Sequence, residues 1–379
     1  MRILHIITTL ALGGAQSVLF QLLEGWEDSD DRQMVISLMG RAQLSARIEA
    51  LNIPVEHIRL LPGKLQPIKF LKLIRIIRSY EPDVVQTWLY HSDLLGSIAT
   101  RLAGRIPVVW GVHHSTTDKQ SVSQSTWGVV RILSHLSAHV PSKIVCCSQA
   151  AFREHVALGY PKEKMAVIPN GIDINRFKPN ISARILLRKE LALSNNTKLI
   201  GMFARYHPQK DHLTFLQAAG ILVRLNPNVH YVLAGEGVDI SNNDMRTQIS
   251  EQGLEDNIHL LGSRHDMPLL AAGIDIATLS SSYGEALPQV IGEAMACGIP
   301  CVATNIGDTE VLVGKGGIIV QPKDPQALVD AWQSILELSD EQYRRLSNLA
   351  RERIVELYNS RDMIREYESV YRMFKAVLK

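Results

Sequence analysis

Glu285 and Glu293 stand with seven residues between them in Ser282-Tyr283-Gly284-Glu285-Ala286-Leu287-Pro288-Gln289-Val290-Ile291-Gly292-Glu293-Ala294-Met295-Ala296-Cys297-Gly298-Ile299-Pro300. Proline is favoured in a first helical turn, and Gly298 followed by Pro300 is a stop. The stretch therefore predicts a helix with Glu285 in the loop before it and Glu293 inside it. Around Ala286, Leu287, Pro288 and Gln289 such a start leaves backbone N–H groups unpaired, which makes an anion site fit for a diphosphate. A carboxylate just before the helix accepts hydrogen bonds from sugar hydroxyls. One two turns in receives a ribose's vicinal pair. The spacing thus fits a nucleotide sugar lying along the helix start.

A second glycine-rich turn, Gly13-Gly14, follows the first apolar run and precedes a helix beginning near Gln16. Glycines there let phosphate or sugar approach the backbone. The turn is not GxGxxG, which weakens a nicotinamide dehydrogenase reading. The four cysteines, Cys146, Cys147, Cys297 and Cys301, lack paired CxxC spacing and read as reduced thiols. Asp28-Ser29-Asp30 has the form of a DxD metal motif, yet it lies in a polar loop remote from these candidates. No other metal cluster stands out, so neither a cofactor nor a metal is expected.

Short apolar runs alternating with longer amphipathic segments position these residues. The strands expected are 3–8, 35–38, 84–87, 108–112 and 144–147, then 199–204, 230–234, 258–261, 274–279 and 300–303. That rhythm, met twice, implies two α/β domains built on parallel sheets covered by helices. Between them Val167-Ile168-Pro169-Asn170-Gly171-Ile172-Asp173 ends regular structure. The division expected is 1–173 and 174–360, with 361–379 a terminal helix able to cross back to the first domain. One helical pattern runs from Glu341 to the end and carries Tyr367, Tyr371, Met373 and Phe374.

In this order and spacing the motifs resemble those of retaining glycosyltransferases of the GT-B fold, family 4 (glycosyl transferases group 1). The Glu285/Glu293 pair is similar to the family's E-x7-E. Gly201-Met202-Phe203-Ala204-Arg205-Tyr206-His207-Pro208-Gln209-Lys210-Asp211 is similar to its strand, Arg, loop and Lys element. Leu233-Ala234-Gly235-Glu236-Gly237, Leu260-Leu261-Gly262 and the 168–173 turn follow suit. The resemblance covers nearly the whole chain and is most specific in the carboxyl-terminal half. It implies two Rossmann-like, doubly wound domains facing across a cleft. Arg205 and Lys210 would neutralise the donor diphosphate, Glu285 would hold the donor sugar and Glu293 the ribose. Leu261, Gly262 and Arg264 would present backbone groups to the base, with Gly235 and Glu236 bordering the pocket. Gly13-Gly14 would be the amino-terminal glycine pair. A histidine after the strand Val108–Val112 would reach the donor sugar. His113 and His114 point to opposite faces, so only one serves; counting from Pro107 favours His113, while Ser115 leaves His114 open. Asp118 is a weaker acceptor-side candidate.

The activity implied is transfer of a sugar from a nucleoside-diphosphate sugar, UDP before GDP, to a hydroxyl of a glycan or lipid-linked acceptor in bacterial polysaccharide synthesis. Retention comes from the resemblance alone. An epimerase of the same fold, or a noncatalytic sugar-binding protein, would keep a similar nucleotide pocket. With a formal net charge of +2 there is no basic excess, and no aromatic-basic motif stands out, so nucleic-acid partners are not expected. The apolar start is interrupted by His5, Thr8 and Thr9 and reads as a buried strand, and no run is long enough to span a membrane. A cytoplasmic protein is expected. Lys69, Lys72, Arg75 and Arg78, at steps of three along a helix from Pro67 to Tyr80, offer a basic face able to lie on the inner surface of an anionic membrane. An ordinary sheet-covering helix with a solvated basic edge accounts for the same pattern.

Overall fold

The computed structural model of the chain describes all residues except 29, 62, 65, 115–122 and 376–379. Two compact units form, one from Met1–Gly171 with Ser360–Lys379, the other from Ile172–Asn359.

The first unit carries seven parallel strands: β1 (Arg2–Ile7), β2 (Arg32–Ser37), β3 (Val55–His57), β4 (Val84–Trp88), β5 (Val108–Val112), β6 (Lys143–Cys146) and β7 (Met165–Val167). They lie in the order β3-β2-β1-β4-β5-β6-β7. Runs such as Ile3-Leu4-His5-Ile6-Ile7 are buried on both faces, as parallel strands between helical layers must be. The amino-terminal segment is thus an interior strand of a sheet, paired with β2 on one side and β4 on the other. The second unit repeats the pattern with β8 (Lys198–Phe203), β9 (Val229–Ala234), β10 (Ile258–Leu260), β11 (Ile276–Leu279), β12 (Cys301–Thr304) and β13 (Gly317–Val320), ordered β10-β9-β8-β11-β12-β13. In each sheet the order reverses between the unit's first and fourth strands. That reversal is the point at which doubly wound sheets bind ligands beyond the strand ends.

Three strands lack an expectation from sequence: β3, β7 and β13. Each is three or four residues long and at or next to a sheet edge, too short to show a period. The expected continuous helix from Glu341 is two helices, Asp340–Leu357 and Ser360–Lys375. The break at Tyr358-Asn359 is where Asn359 bridges Ile172 and Tyr358 O accepts the Ile172 N–H at 2.7 Å. Ser360–Lys375 belongs to the first unit, where Met363, Ile364, Tyr367, Val370 and Tyr371 are buried in the cluster containing Trp88. Phe374 packs at its margin, whereas Met373, on the opposite face of the helix, is 53% exposed. Arg372 ties this helix to Asp28 and Asp31 at 2.5 and 2.7 Å. Asp28 therefore anchors a helix; Ser29 of the DxD-like triplet lies outside the described residues.

Candidate active site

Loops following β8 and β11 meet at the reversal point of the second sheet. The first runs Ala204-Arg205-Tyr206-His207-Pro208-Gln209-Lys210-Asp211 and ends where Asp211 caps the helix His212–Leu225 through the Thr214 N–H. The second runs from Ser280 to Pro288. They are stitched at several points. Ser280 Oγ donates toward Lys210 O and Asp211 O at 2.9 and 3.0 Å. The Ser282 N–H donates to Gln209 O, and Gln209 Nε2 to Gly284 O, each at 2.9 Å.

Within this frame the Lys210 ammonium and the Glu285 carboxylate form an ion pair, and Ser281 Oγ donates to the same carboxylate oxygen at 2.6 Å. Glu285 is only 7% exposed. A carboxylate so buried is tolerable because a cation and a hydroxyl both satisfy it. Thr304 Oγ1 in turn donates to Ser281 O at 2.6 Å, so β12 supports the arrangement. Ser280, Ser281 and Thr304 were not expected from sequence. The run of three serines between an apolar strand and Glu285 was the available sign.

Arg205 lines a cavity of about 430 Å³ with Tyr206, His207, Glu236 and Gly237. Tyr206 is clamped to Asp244 through its hydroxyl, and its N–H donates to Glu236 O at 2.7 Å. Gly235 is a glycine for a close approach: with φ 158°, a Cβ there would lie 2.1 Å from Ala204 O. Its N–H donates to Gly262 O at 2.8 Å, which draws Gly262 to the same turn. The Arg264 guanidinium is engaged elsewhere, with Glu190 at 2.5 Å and Asp266 at 2.7 and 2.8 Å.

The helix after Glu285 spans Gln289–Ala296, with Pro288 as its N-cap rather than in its first turn. Proline at the cap leaves Gln289 and the residues behind it to open the helix, one residue later than expected. Gln289 also has both side-chain amide atoms buried without a hydrogen-bond partner. Glu293 sits inside the helix. Burial raises its pKa to about 7, partly offset by Arg176.

In the first unit Gly13 caps, and Gly14 begins, the helix Gly14–Glu24, which starts two residues before the expected Gln16. Space beside Gly14 is open, with nothing within 4 Å of a Cβ built on it. Beyond β5 the two histidines part to opposite sides. His113 stacks on Trp88 at 5.1 Å between centroids, and His114 on Tyr90 at 5.7 Å. Burial and the neighbouring His114 lower the His113 pKa to about 3, with Asn170 acting the other way. Ser115 and Asp118 lie outside the described residues. The helix Pro67–Tyr80 has the expected bounds. Lys69 donates to Arg59 O, Lys72 pairs with Glu56 at 3.3 Å and Arg78 donates to Leu102 O at 2.7 Å. Among the described residues no three His, Cys, Asp or Glu side chains gather as a metal site, and no helix is long and apolar enough to cross a membrane.

Comparison with known proteins agrees with this anatomy. The family model for glycosyl transferases group 1 matches residues 184–353, and that for Glycosyltransferase Family 4 matches residues 12–176. An Escherichia coli protein named UDP-Gal:alpha-D-GlcNAc-diphosphoundecaprenol alpha-1,3-galactosyltransferase is 27% identical over 309 residues, 79% of this chain and 78% of its own. The crystal structure of Anabaena HepE in complex with UDP-glucose superposes with a TM-score of 0.87 at 26% identity, covering 98% of this chain and all of that one. Sucrose-phosphate synthase from Thermosynechococcus elongatus, at 17% identity, TM-score 0.83 and full coverage of both chains, shares the fold. With one family model on each half and these neighbours along its length, the chain belongs to the group 1, family 4 glycosyltransferases of GT-B fold.

Proposed function

We propose that this glycosyltransferase takes its sugar from a UDP-sugar and places it, with retained configuration, on a hydroxyl of a lipid-linked glycan. The observation that carries the reading is the Lys210–Glu285 pair, brought together from loops 75 residues apart at the reversal point of the sheet. One member suits a phosphate and the other a sugar hydroxyl. In this reading Arg205 and Lys210 hold the diphosphate, and Glu285 the hydroxyls of the transferred sugar. Glu293 takes the ribose, the backbone around Ala286, Leu287 and Gln289 faces the phosphates, and Gly235, Glu236 and Gly262 border the base. For the first unit, the family resemblance makes Gly13, Gly14 and His113 the candidate residues. The acceptor oxygen bonds to the anomeric carbon on the face from which the diphosphate departs. The carbon–oxygen bond to phosphate breaks with its electrons going to the diphosphate, and a phosphate oxygen takes the acceptor's proton. Preorganised cations at the leaving group supply the stabilisation.

UDP and the lipid-linked acceptor are favoured by the relatives: HepE was crystallised with UDP-glucose, and the E. coli protein is named for UDP-Gal and a diphosphoundecaprenol acceptor. Attachment at the inner face of the membrane through Pro67–Tyr80 fits such an acceptor, since Ile68 and Leu71 are 82% and 50% exposed there. The test is a thermal-shift comparison of UDP-, GDP- and ADP-sugars, followed by NMR of the anomeric proton in the product. A native-state ligand at about 100 times its Kd adds about 2.7 kcal/mol of stability. UDP-sugars should give the largest shift and the donor's anomeric configuration should persist. A larger shift with GDP-sugars, or an inverted product, would remove the corresponding part.

A further inference from the structure

His113 lies in the first unit without a hydrogen bond of standard geometry to either ring nitrogen, although both are buried. Side chains that must hold one orientation are usually locked by such bonds. Asn170 is a polar neighbour of the ring, but the lock is aromatic. His113 stacks on Trp88 with ring planes 23° apart, and Trp88 stacks on Tyr367 of the terminal helix at 5.7 Å and 30°. Trp88 is itself completely buried and fixed by its polar atom: its indole N–H donates to His5 Nδ1 at 3.3 Å. Because Nδ1 accepts, the neutral His5 ring carries its proton on Nε2, which donates to Gln33 Oε1 at 2.9 Å. Burial, opposed by that Gln33 bond, lowers the His5 pKa to about 4 and keeps the ring neutral and the relay directional.

The backbone agrees. Leu89, directly after Trp88, adopts φ 75° and ψ 151°, a region essentially reserved for glycine. The strained residue separates Trp88, which meets His113, from Tyr90, which meets His114. Gly111 leaves room for the stack: a Cβ there would lie 2.9 Å from Thr87 O and 3.4 Å from His113 Nε2.

We infer that Trp88 is a positioning residue for His113, held by the Gln33–His5 relay and by Tyr367 of the terminal helix, so that this helix helps to aim the catalytic histidine. The inference rests on the assignment of His113 to the donor sugar. Misplacement of a reacting group by about 1 Å costs on the order of 100-fold, so an aiming residue acts on kcat and leaves donor binding alone.

The test compares Trp88→Leu, Trp88→Phe, His113→Ala and the double variant Trp88→Leu/His113→Ala in kcat, donor Kd and thermal unfolding. Trp88→Leu should lower kcat at least about tenfold with donor Kd within about twofold, and Trp88→Phe should recover most of the loss. In the His113→Ala background, Trp88→Leu should cost less than about twofold more, because coupled residues are not additive. Undiminished turnover in His113→Ala would remove the assignment of His113, and this inference with it. A folded Trp88→Leu with native kcat, while His113→Ala is impaired, would overturn the inference alone. Should Trp88→Leu fail to fold, the native protein still decides. Stacking must displace the His113 ring protons upfield in a histidine-labelled NMR spectrum, and their appearance at unstacked positions would overturn it.

Discussion

Lys210 and Glu285 are paired, so neither acts as an isolated charge. Arg205, by contrast, is exposed at the mouth of a cavity. The two cations therefore have different tasks at a leaving diphosphate. Arg presents a fixed fork, while Lys is a point charge that also holds a carboxylate. Arg205→Ala and Lys210→Ala should each lower kcat by about 10²-fold, roughly 2.7 kcal/mol. Lys210→Ala should also leave Glu285 buried without its cation and so lower the unfolding midpoint, which Arg205→Ala should not. With side-chain cations at the phosphates, EDTA should leave the native rate nearly intact. The assay is donor turnover with and without chelator. Activity lost to EDTA and restored by magnesium or manganese would refute the cation-based reading, and native turnover in both alanine variants would refute the site. At this scale the sequence carried the residue types and their loops. The direction of Arg264 was not legible, because Glu190, 74 residues earlier, competes for its guanidinium.

Among the elements, the helix Pro67–Tyr80 shows how one pattern serves two readings. Leu73, Ile74 and Ile77 form its buried stripe, as any sheet-covering helix requires. Three of its four cations already meet partners in their own unit, which is the ordinary reading. Ile68 and Leu71 nevertheless remain exposed on the side away from that stripe, where an anionic bilayer would take both apolar and basic groups. Replacing Lys69, Lys72, Arg75 and Arg78 by Gln should reduce sedimentation with anionic vesicles, each charge being worth about 1 kcal/mol. Equal sedimentation of the variant and native proteins would leave the helix a plain Rossmann element.

For the whole molecule, burial sets two opposing pH dependences. His5, His155 and His212 are held neutral with pKa lowered to about 4. Unfolding raises each toward its ordinary 6.5, so the stability they confer is present above about 6.5 and lost as pH falls through about 4. Glu293 has the opposite sign. Its folded pKa of about 7 exceeds the ordinary 4.5, so its contribution is present below about 4.5 and lost as pH rises through about 7. Glu293→Gln should therefore stabilise the protein at pH 8 by roughly 1–3 kcal/mol relative to native, and by less at pH 5. Urea titrations at both pH values check this. A gain no larger at pH 8 than at pH 5 would contradict a raised pKa for Glu293 in the fold.

The sequence by itself determined two parallel-sheet halves, the turn residues that separate them and the loop that carries Glu285. Each of these follows from local causes: apolar runs of strand length, helix stops and turn residues. Short edge strands such as β3 and β13 were silent because three or four residues show no period. Only tertiary structure decided where the helical pattern from Glu341 breaks, since Asn359 bridges a residue far back in the chain. It also decided that Ser281 and Thr304 support Glu285, and that His113 and His114 turn to Trp88 and Tyr90. Apart from Ser281, which stands four residues before Glu285, these are contacts between residues more than twenty positions apart, chosen by packing and by the need of buried polar groups for partners.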